Sequence, residues 1–337
     1  MSTPFSVILS LIPAIILFSL SAAAADPRPV RIASGGHIVH FLPLDIAIAH
    51  GFFEEQGLEP NVTYVRPGTP TAQALLAGQV DFSTNGIEHA FKAAIQGKDN
   101  LRMVVLMNRL PGMVLVADSK YRGTVRRIAD LEGMTLGVTS KGAATHMVLN
   151  YLLTKNGVSP NKVTVIKAGA STFPPALQNA QIDGGMALEP FASMLVENGH
   201  AFVLADLNSL ENTEKIFGGP YNLAGILTRQ AVIDKDPVLV GKVVLAIQKA
   251  LRRIAAHSPE EIADKLPAVV VGTDKARYVK TLKKLREFYS LTGRITSAGV
   301  DSVFRSMRIS GALPAETPIE KSRFYTNRFV APEAKLQ

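Results

Sequence analysis

The chain has neither cysteine nor tryptophan. Without thiols it can form no structural disulfide and no thiolate metal site, and it offers no cysteine for lipid attachment at a processed N-terminus. Aromatic residues make up only 7% of its 337 residues, which leaves little from which to build stacking platforms for single-stranded nucleic acid. The first 25 residues carry no charged side chain. Several enzyme signatures are missing as well: Gly-x-Ser-x-Gly, His-Glu-x-x-His, Gly-x-x-x-x-Gly-Lys-Ser/Thr and Cys-x-x-Cys do not occur. His37 and His40 stand three apart, with His50 and His89 further on, but no third and fourth ligand follows at a spacing that suits a tetrahedral metal. These absences predict a protein that is not an enzyme and that holds no metal and no cofactor.

What is present is globular in character. Hydrophobic residues account for 47% and charged residues for 19%, and the length suffices for two domains, each with its own core. The net charge of +8 and a pI near 9.6 favour anionic partners. Nucleic acid is not expected among them, because no binding motif accompanies the charge.

Residues 7–20 are apolar except for Ser10, Pro13 and Ser19, and five small residues follow, ending at Ala25. This reads as a signal peptide, residues 1–25, cleaved near Ala25, and it predicts a periplasmic location. The segment before the apolar run has no Lys or Arg. If retained, residues 5–25 are just long enough to anchor in a bilayer that needs about 20 residues.

The most informative pattern is a repeat. Ala74, Leu75, Gln79, Val80 and Asp81 recur as Ala176, Leu177, Gln181, Ile182 and Asp183, all at an offset of 102. Pro60-Asn61 and Pro160-Asn161 echo it upstream. Two copies of one supersecondary unit predict two similar lobes with a cleft between them. Around the repeat, short β-like runs (30–33, 62–65, 80–83, 103–107, 134–138, 163–166, 182–187, 203–206, 223–227) alternate with helical stretches (43–49, 71–76, 87–95, 143–155, 173–179). That grammar predicts an α/β fold whose lobes are doubly wound, mostly parallel sheets. From 238 onward the chain reads as amphipathic helices over 238–256, 259–266, 276–289 and 297–309, packed on lobe one. The lobes are expected over 26–115 and 116–215, with 216–337 returning to lobe one, and the chain crossing between them near 110–120 and 210–222.

Several phrases together resemble a known family. They are Ala47-Ile48-Ala49-His50-Gly51-Phe52-Phe53 with Gly57-Leu58, the two repeated phrases, Asp130-Leu131-Glu132-Gly133, Gly142-Ala143-Ala144-Thr145-His146, Glu189-Pro190, Phe217-Gly218-Gly219-Pro220-Tyr221 and Thr326-Asn327-Arg328-Phe329-Val330. Their order and spacing resemble the periplasmic substrate-binding proteins of ABC importers, in the nitrate, sulfonate, taurine and thiamine-precursor group (the NMT1/THI5-like or SsuA-like family). The resemblance implies a two-lobed type II periplasmic-binding fold, a monomer that closes on a small solute like a hinge, and delivery to an ABC permease with its ATPase.

In open α/β sheets a ligand lies beyond the C-terminal ends of the strands, where helices begin. Candidate ligand-binding residues therefore come from four loops: Ser34, Gly35 and His37; Thr69; Asn85; and Thr139, Ser140, Gly142 and Thr145. The last loop offers backbone N–H groups at a helix start, hydroxyls and Lys141, a set suited to an acidic group. Ser140 serves equally well as a plain helix cap. Glu189 stands in lobe two where Asn85 stands in lobe one and can accept from a ligand amine, and Tyr221 either walls the cleft or packs. The solute expected is a small anion of the sulfonate, taurine or nitrate kind; a pyrimidine thiamine precursor is the alternative, as is a sensing subunit uncoupled from transport.

Overall fold

The computed structural model describes residues 26–98, 100–314 and 318–332; the expected signal peptide lies outside them. In chain order the first lobe opens with β1 (Arg28–Ser34), α1 (Leu42–Ala49), β2 (Leu58–Tyr64), α2 (Thr69–Leu76), β3 (Phe82–Gly86), α3 (Glu88–Ile95) and β4 (Leu101–Leu106). Then come β5 (Met113–Asp118), β6 (Thr135–Val138), α4 (Ala144–Lys155), β7 (Thr164–Lys167), α5 (Phe173–Gln178), β8 (Gly184–Leu188), α6 (Phe191–Glu197), β9 (Ala201–Asp206) and α7 (Leu210–Phe217). The chain ends with β10 (Ala224–Arg229), α8 (Gln230–Lys235), α9 (Pro237–Ala256), α10 (Pro259–Lys265), α11 (Ala268–Val271), α12 (Lys275–Lys284) and α13 (Ser297–Ile309).

The strands form two five-stranded sheets, in the orders β2-β1-β3-β10-β4 and β7-β6-β8-β5-β9. The two orders are the same once β6–β9 are matched to β1–β4 and β5 to β10. In each sheet four strands share one direction, and the fourth position is filled antiparallel by a strand entering from the other lobe. The architecture is thus α/β and two-lobed, with mostly parallel centres. Pro60 sits within β2, which runs from Leu58 and so begins earlier than its β-branched residues suggest. This strand lies at the edge of its sheet, where a missing N–H costs no ladder bond.

The repeated phrase sets the floor of each lobe. Asp81 N–H donates to Arg31 O at 3.0 Å, and Asp183 N–H donates to Thr135 O at 2.7 Å. Each aspartate thus ties its strand to the neighbouring parallel one at the same point. The Asp81 carboxylate takes two hydrogen bonds from Arg31, at 2.8 and 3.0 Å. The Asp183 carboxylate accepts from Tyr121 Oη at 2.6 Å and from Thr135 N–H at 2.9 Å.

Two features differ from the sequence reading. Residues 113–118 form a strand, fully apolar until Asp118, in the interior of the second sheet between β8 and β9, so the first crossing is shorter and earlier than expected. An unbroken apolar run buried on both faces has no alternation to mark it as a strand. Likewise β3 does not open into a loop at Thr84: it continues through Gly86, because β10 pairs with it from Phe82 to Gly86. The two crossings run side by side, with Leu223 N–H on Asn108 O, Tyr221 N–H on Arg109 O and Gly112 N–H on Leu207 O, each at 3.1 Å.

The long α9 begins at a cap in which Asp236 accepts from Leu239 N–H, and it lays Leu239, Val240, Val243, Val244 and Ile247 into the core of lobe one against α1. The later helices also reach lobe two. Lys284 on α12 pairs with Glu189 at 2.8 Å, and α13 packs on both α3 and α4. Among the described residues no helix is long and apolar enough to cross a membrane.

Candidate functional site

The C-terminal ends of β1, β2, β3, β6 and β8, together with the beginnings of β5 and β10, converge on one place between the lobes. There they enclose a space of about 50 Å³ lined by His40, Phe41, Pro67, Gly68, Asn85, Gly86, Glu88, Met113, Thr139, Ala143, Ala144, Thr145, Leu188, Leu223 and Ala224. The lobes touch across it. At Gly68, where φ is +91°, an added Cβ would lie 2.8 Å from the Cβ of Ala143 and 3.1 Å from Ser140 Oγ, so only glycine lets the two loops meet. From α3, Lys92 Nζ donates to Gly142 O in the loop before α4.

The β6–α4 loop spends part of its donor set on itself. Thr139 N–H donates to Thr145 Oγ1 at 3.1 Å, the Thr139 and Thr145 hydroxyls lie 2.8 Å apart, Gly142 N–H donates to His146 Nδ1 at 3.0 Å, and Ala143 N–H donates to Ser140 O at 3.2 Å. In the first turn of α4 the Ala144 N–H faces the Glu88 carboxyl and Met147 N–H donates to Ala143 O, so the donors left for a ligand are the N–H groups of Thr145 and His146, which have no carbonyl within the helix. The dipole of this 12-residue helix also favours an acidic group at that end. Ser140 Oγ is buried without a hydrogen-bond partner, and Ala143, not Ser140, holds the cap position of α4.

The other candidate residues divide into groups. Asn85 and Gly68 line the enclosed space with Thr139 and Thr145, but the Asn85 side chain is committed: Nδ2 donates to Thr71 Oγ1 at 2.8 Å and Oδ1 accepts from Gly86 N–H at 3.1 Å. Ser34 and Gly35 form the floor beneath, where Thr84 Oγ1 donates to Ser34 Oγ at 3.1 Å and accepts from Gly35 N–H at 3.3 Å. Thr69 opens α2 directly after Gly68, and its hydroxyl would lie 3.9 Å from a Cβ added at Gly142.

His37 and Glu189 line a second, larger space of about 310 Å³, walled by Ile38, Val39, Pro190, Phe191, Met194, residues 269–274, Arg277 and Tyr278. His37 Nδ1 lies 2.8 Å from Asp45 Oδ1, and its ring is 4.2 Å from that of Tyr64. The hydrogen bond that His37 donates to Asp45 raises the His37 pKa, while burial keeps the Asp45 carboxyl above its ordinary value. Glu189 is fully buried and fully engaged, accepting from Ser193 N–H and Oγ at 3.0 Å each, Asn208 Nδ2 at 3.2 Å and Lys284 Nζ at 2.8 Å. Tyr221 lies in neither space. It is fully buried against Phe217, with its hydroxyl 2.9 Å from Ser306 Oγ.

Two polar groups lining this space, Glu88 and His40, are absent from the sequence-derived set, as is Lys92 one helical turn beyond Glu88. Glu88 begins α3 and is 2% exposed; Oε1 lies 3.5 Å from His89 Nε2, and Oε2 has no hydrogen-bond partner. Burial raises its pKa, against the pull of Lys92 and of the Ala144 N–H. Burial lowers the pKa of Lys92, with Glu88 opposing. His40, buried, donates from Nε2 to Pro111 O at 3.2 Å, which leaves Nδ1 as an acceptor without a partner. Desolvation pushes its pKa down to about 4, so the ring is neutral. Among the described residues no cluster of three or more His, Cys, Asp or Glu could hold a metal ion.

Comparison with known proteins agrees with this geometry. The NMT1/THI5 like family matches residues 39–262. The chain is 25% identical over 312 residues to YtlA of Bacillus subtilis (strain 168), named as a binding protein, with 90% of each chain covered. A solved structure from Bordetella bronchiseptica RB50 superposes with a TM-score of 0.83 at 28% identity, covering 90% of this chain and 96% of that one. The nitrate-binding protein NrtA from Synechocystis PCC 6803 shares the fold (TM-score 0.74, 14% identity, 89% and 86% covered). So does the alkanesulfonate-binding protein SsuA from Xanthomonas axonopodis pv. citri (TM-score 0.66, 20% identity, 93% and 98% covered). A shorter match, 28% over 153 residues and 44% and 42% of the two chains, is to 4-amino-5-hydroxymethyl-2-methylpyrimidine phosphate synthase of Schizosaccharomyces pombe. The chain belongs to the NMT1/THI5-like family.

Proposed function

From that membership and the interlobe geometry, we propose that the protein is the extracytoplasmic solute-binding subunit of an ABC importer. It takes one small solute between its lobes and presents the closed form to a permease. The single observation that carries the reading is the interlobe space at the converging strand ends, a mostly apolar pocket with a few polar groups, with the first turn of α4 on one side and α3 on the other. An acidic group of the solute lies against the N–H groups of that turn, beside the Thr139 and Thr145 hydroxyls, where the helix dipole stabilises negative charge. The periplasmic location rests on the apolar N-terminal segment and on the relatives' descriptions. Glu88 and His40 in the same space bear on which solute enters, and an amine-bearing pyrimidine stays the second reading because of the match to the synthase.

The test is thermal unfolding of the processed chain with sulfonates, amino acids, nitrate, bicarbonate and aminopyrimidines. A bound solute at 100 times its dissociation constant adds about 2.7 kcal/mol of stability. An unchanged melting temperature across the panel refutes the reading.

A further inference from the structure

A buried carboxyl beside an anion-favouring helix end makes no sense for a site that takes a bare oxyanion. Glu88 is 2% exposed, and its Oε2 has no partner among the described residues. The fold makes room for it in a specific way. A Cβ at Gly86 would lie 1.9 Å from Oε2, although the backbone there is ordinary β-strand that any residue adopts. Glycine at 86 therefore serves the carboxyl and not the chain. The neighbouring cation does not consume it: Lys92 Nζ crosses to Gly142 O. His40, which also lines the space, is held by Pro111 O through Nε2 and leaves Nδ1 as a second buried acceptor without a hydrogen bond. Neither buried atom makes a hydrogen bond, although the Ala144 N–H stands near the Glu88 carboxyl, and such atoms point to a ligand that brings donors.

We propose that Glu88 is a specificity-determining residue: it accepts a hydrogen bond from an ammonium or amine N–H of the solute, with His40 Nδ1 as a second acceptor. The solute is therefore one that carries both an acidic group and a nitrogen donor, and simple oxyanions are rejected. The inference rests on the cleft reading above and narrows it. The acidic end goes to lobe two at α4, the donor end to lobe one at α3. Rejection follows because a solute without the donor leaves a buried acceptor unpaired, next to its own negative charge.

Matched pairs test it: taurine against ethanesulfonate and β-alanine against propionate, titrated calorimetrically into the wild-type chain and into Glu88→Gln. In the wild type the amine-bearing member of a pair binds about 10- to 100-fold more tightly, the range of one charge-assisted hydrogen bond. In Glu88→Gln that ratio falls towards one, while the oxyanion-only member binds as well as before or better. If both members of a pair bind the wild type equally, the role given to Glu88 is overturned and the cleft reading stands. If neither member of either pair binds and no other amine-bearing acid does, the role given to Glu88 is overturned, and the cleft reading falls with it only if the thermal panel is blank as well. A Glu88 that only braces α3 against α4 would lower the melting temperature of the ligand-free variant and leave the ratio unchanged, which also overturns the proposal. The wild-type ratio needs no variant, so the inference is exposed even if Glu88→Gln folds poorly.

Discussion

Two histidines buried in lobe one make stability fall steeply with pH in a predictable window. His40 and His89 are 4% and 6% exposed, and burial pushes their pKa values down to about 4 and about 3. In the unfolded chain both titrate near 6.5. The folded values are depressed, so the unfolded chain takes up protons first as pH falls. Their contribution is fully present above about 6.5 and is lost progressively down to the folded values. Between pH 7 and pH 5 each histidine removes about 2 kcal/mol, or about 4 kcal/mol for the pair. Glu88 works the other way, because burial raises its pKa: the folded state keeps a proton that the unfolded chain has released, so its contribution grows as pH falls towards about 4.5. The net slope is therefore shallower than the histidines alone would give, and a variant isolates one of them. His40→Gln should reduce the slope near pH 5 by about 1.4 kcal/mol per pH unit, one proton's worth. Urea unfolding from pH 5 to 7.5, followed by far-ultraviolet circular dichroism since the chain has no tryptophan, measures it. A His40→Gln slope equal to the wild-type slope would refute the assignment of a neutral buried ring.

The remaining expectations concern positions whose roles the structure separates. Gly86→Ala drives a methyl into the Glu88 carboxyl; it should weaken solute binding at least tenfold by calorimetry and cost about 1–3 kcal/mol of stability in urea, as overpacking does. Lys284→Met leaves the Glu189 carboxylate buried with its two serine bonds and Asn208 but no cation. Breaking a buried pair costs about 3–5 kcal/mol, but Lys284 is 38% exposed, so about 2 kcal/mol is expected by chemical denaturation, with solute affinity unchanged. Tyr221→Phe deletes only the hydroxyl shared with Ser306, at a cost of about 1 kcal/mol and with no change in affinity; a large affinity loss would place Tyr221 in the cleft after all.

Much of the scaffold was legible because its signals are local. α13 runs over Ser297–Ile309 as its amphipathic pattern indicates, and the repeated Asp81 and Asp183 occupy equivalent points in two equivalent sheets. β5 was not legible: its residues would read the same in a buried helix, and only the partner strands β8 and β9, which come later in the chain, make it a strand. The anion-suited loop before α4 was found from small residues and hydroxyls, but how many of its donors it uses on itself depends on Thr145 and His146 turning back. Glu88 escaped notice for a related reason. In Glu88-His89-Ala90-Phe91-Lys92 the acid and the lysine are i and i+4 on a helix, the usual mark of a solvated face. Here that face is covered by the other lobe. The one readable hint was Gly86 two residues before an acid at a helix start.

The two lobes are alike in backbone and unlike in chemistry. At the offset of 102, Glu88 corresponds to Pro190, so lobe two has no acid at that position, and α4 of lobe two presents its N-terminus to the space opposite the starts of α2 and α3 of lobe one. The two acceptors without a hydrogen bond, Glu88 Oε2 and His40 Nδ1, thus both sit on lobe one. A solute with only an acidic end can satisfy lobe two without engaging lobe one, and gains nothing from closure beyond being covered. A solute with both ends satisfies each lobe only when the lobes meet, so its second hydrogen bond is available in the closed form alone. A ligand shifts a conformational equilibrium only by its difference in affinity for the two states. On the reading proposed here, that difference is the bond to Glu88, which would make the residue that selects the solute also the one that signals its presence by holding α3 against the loop before α4.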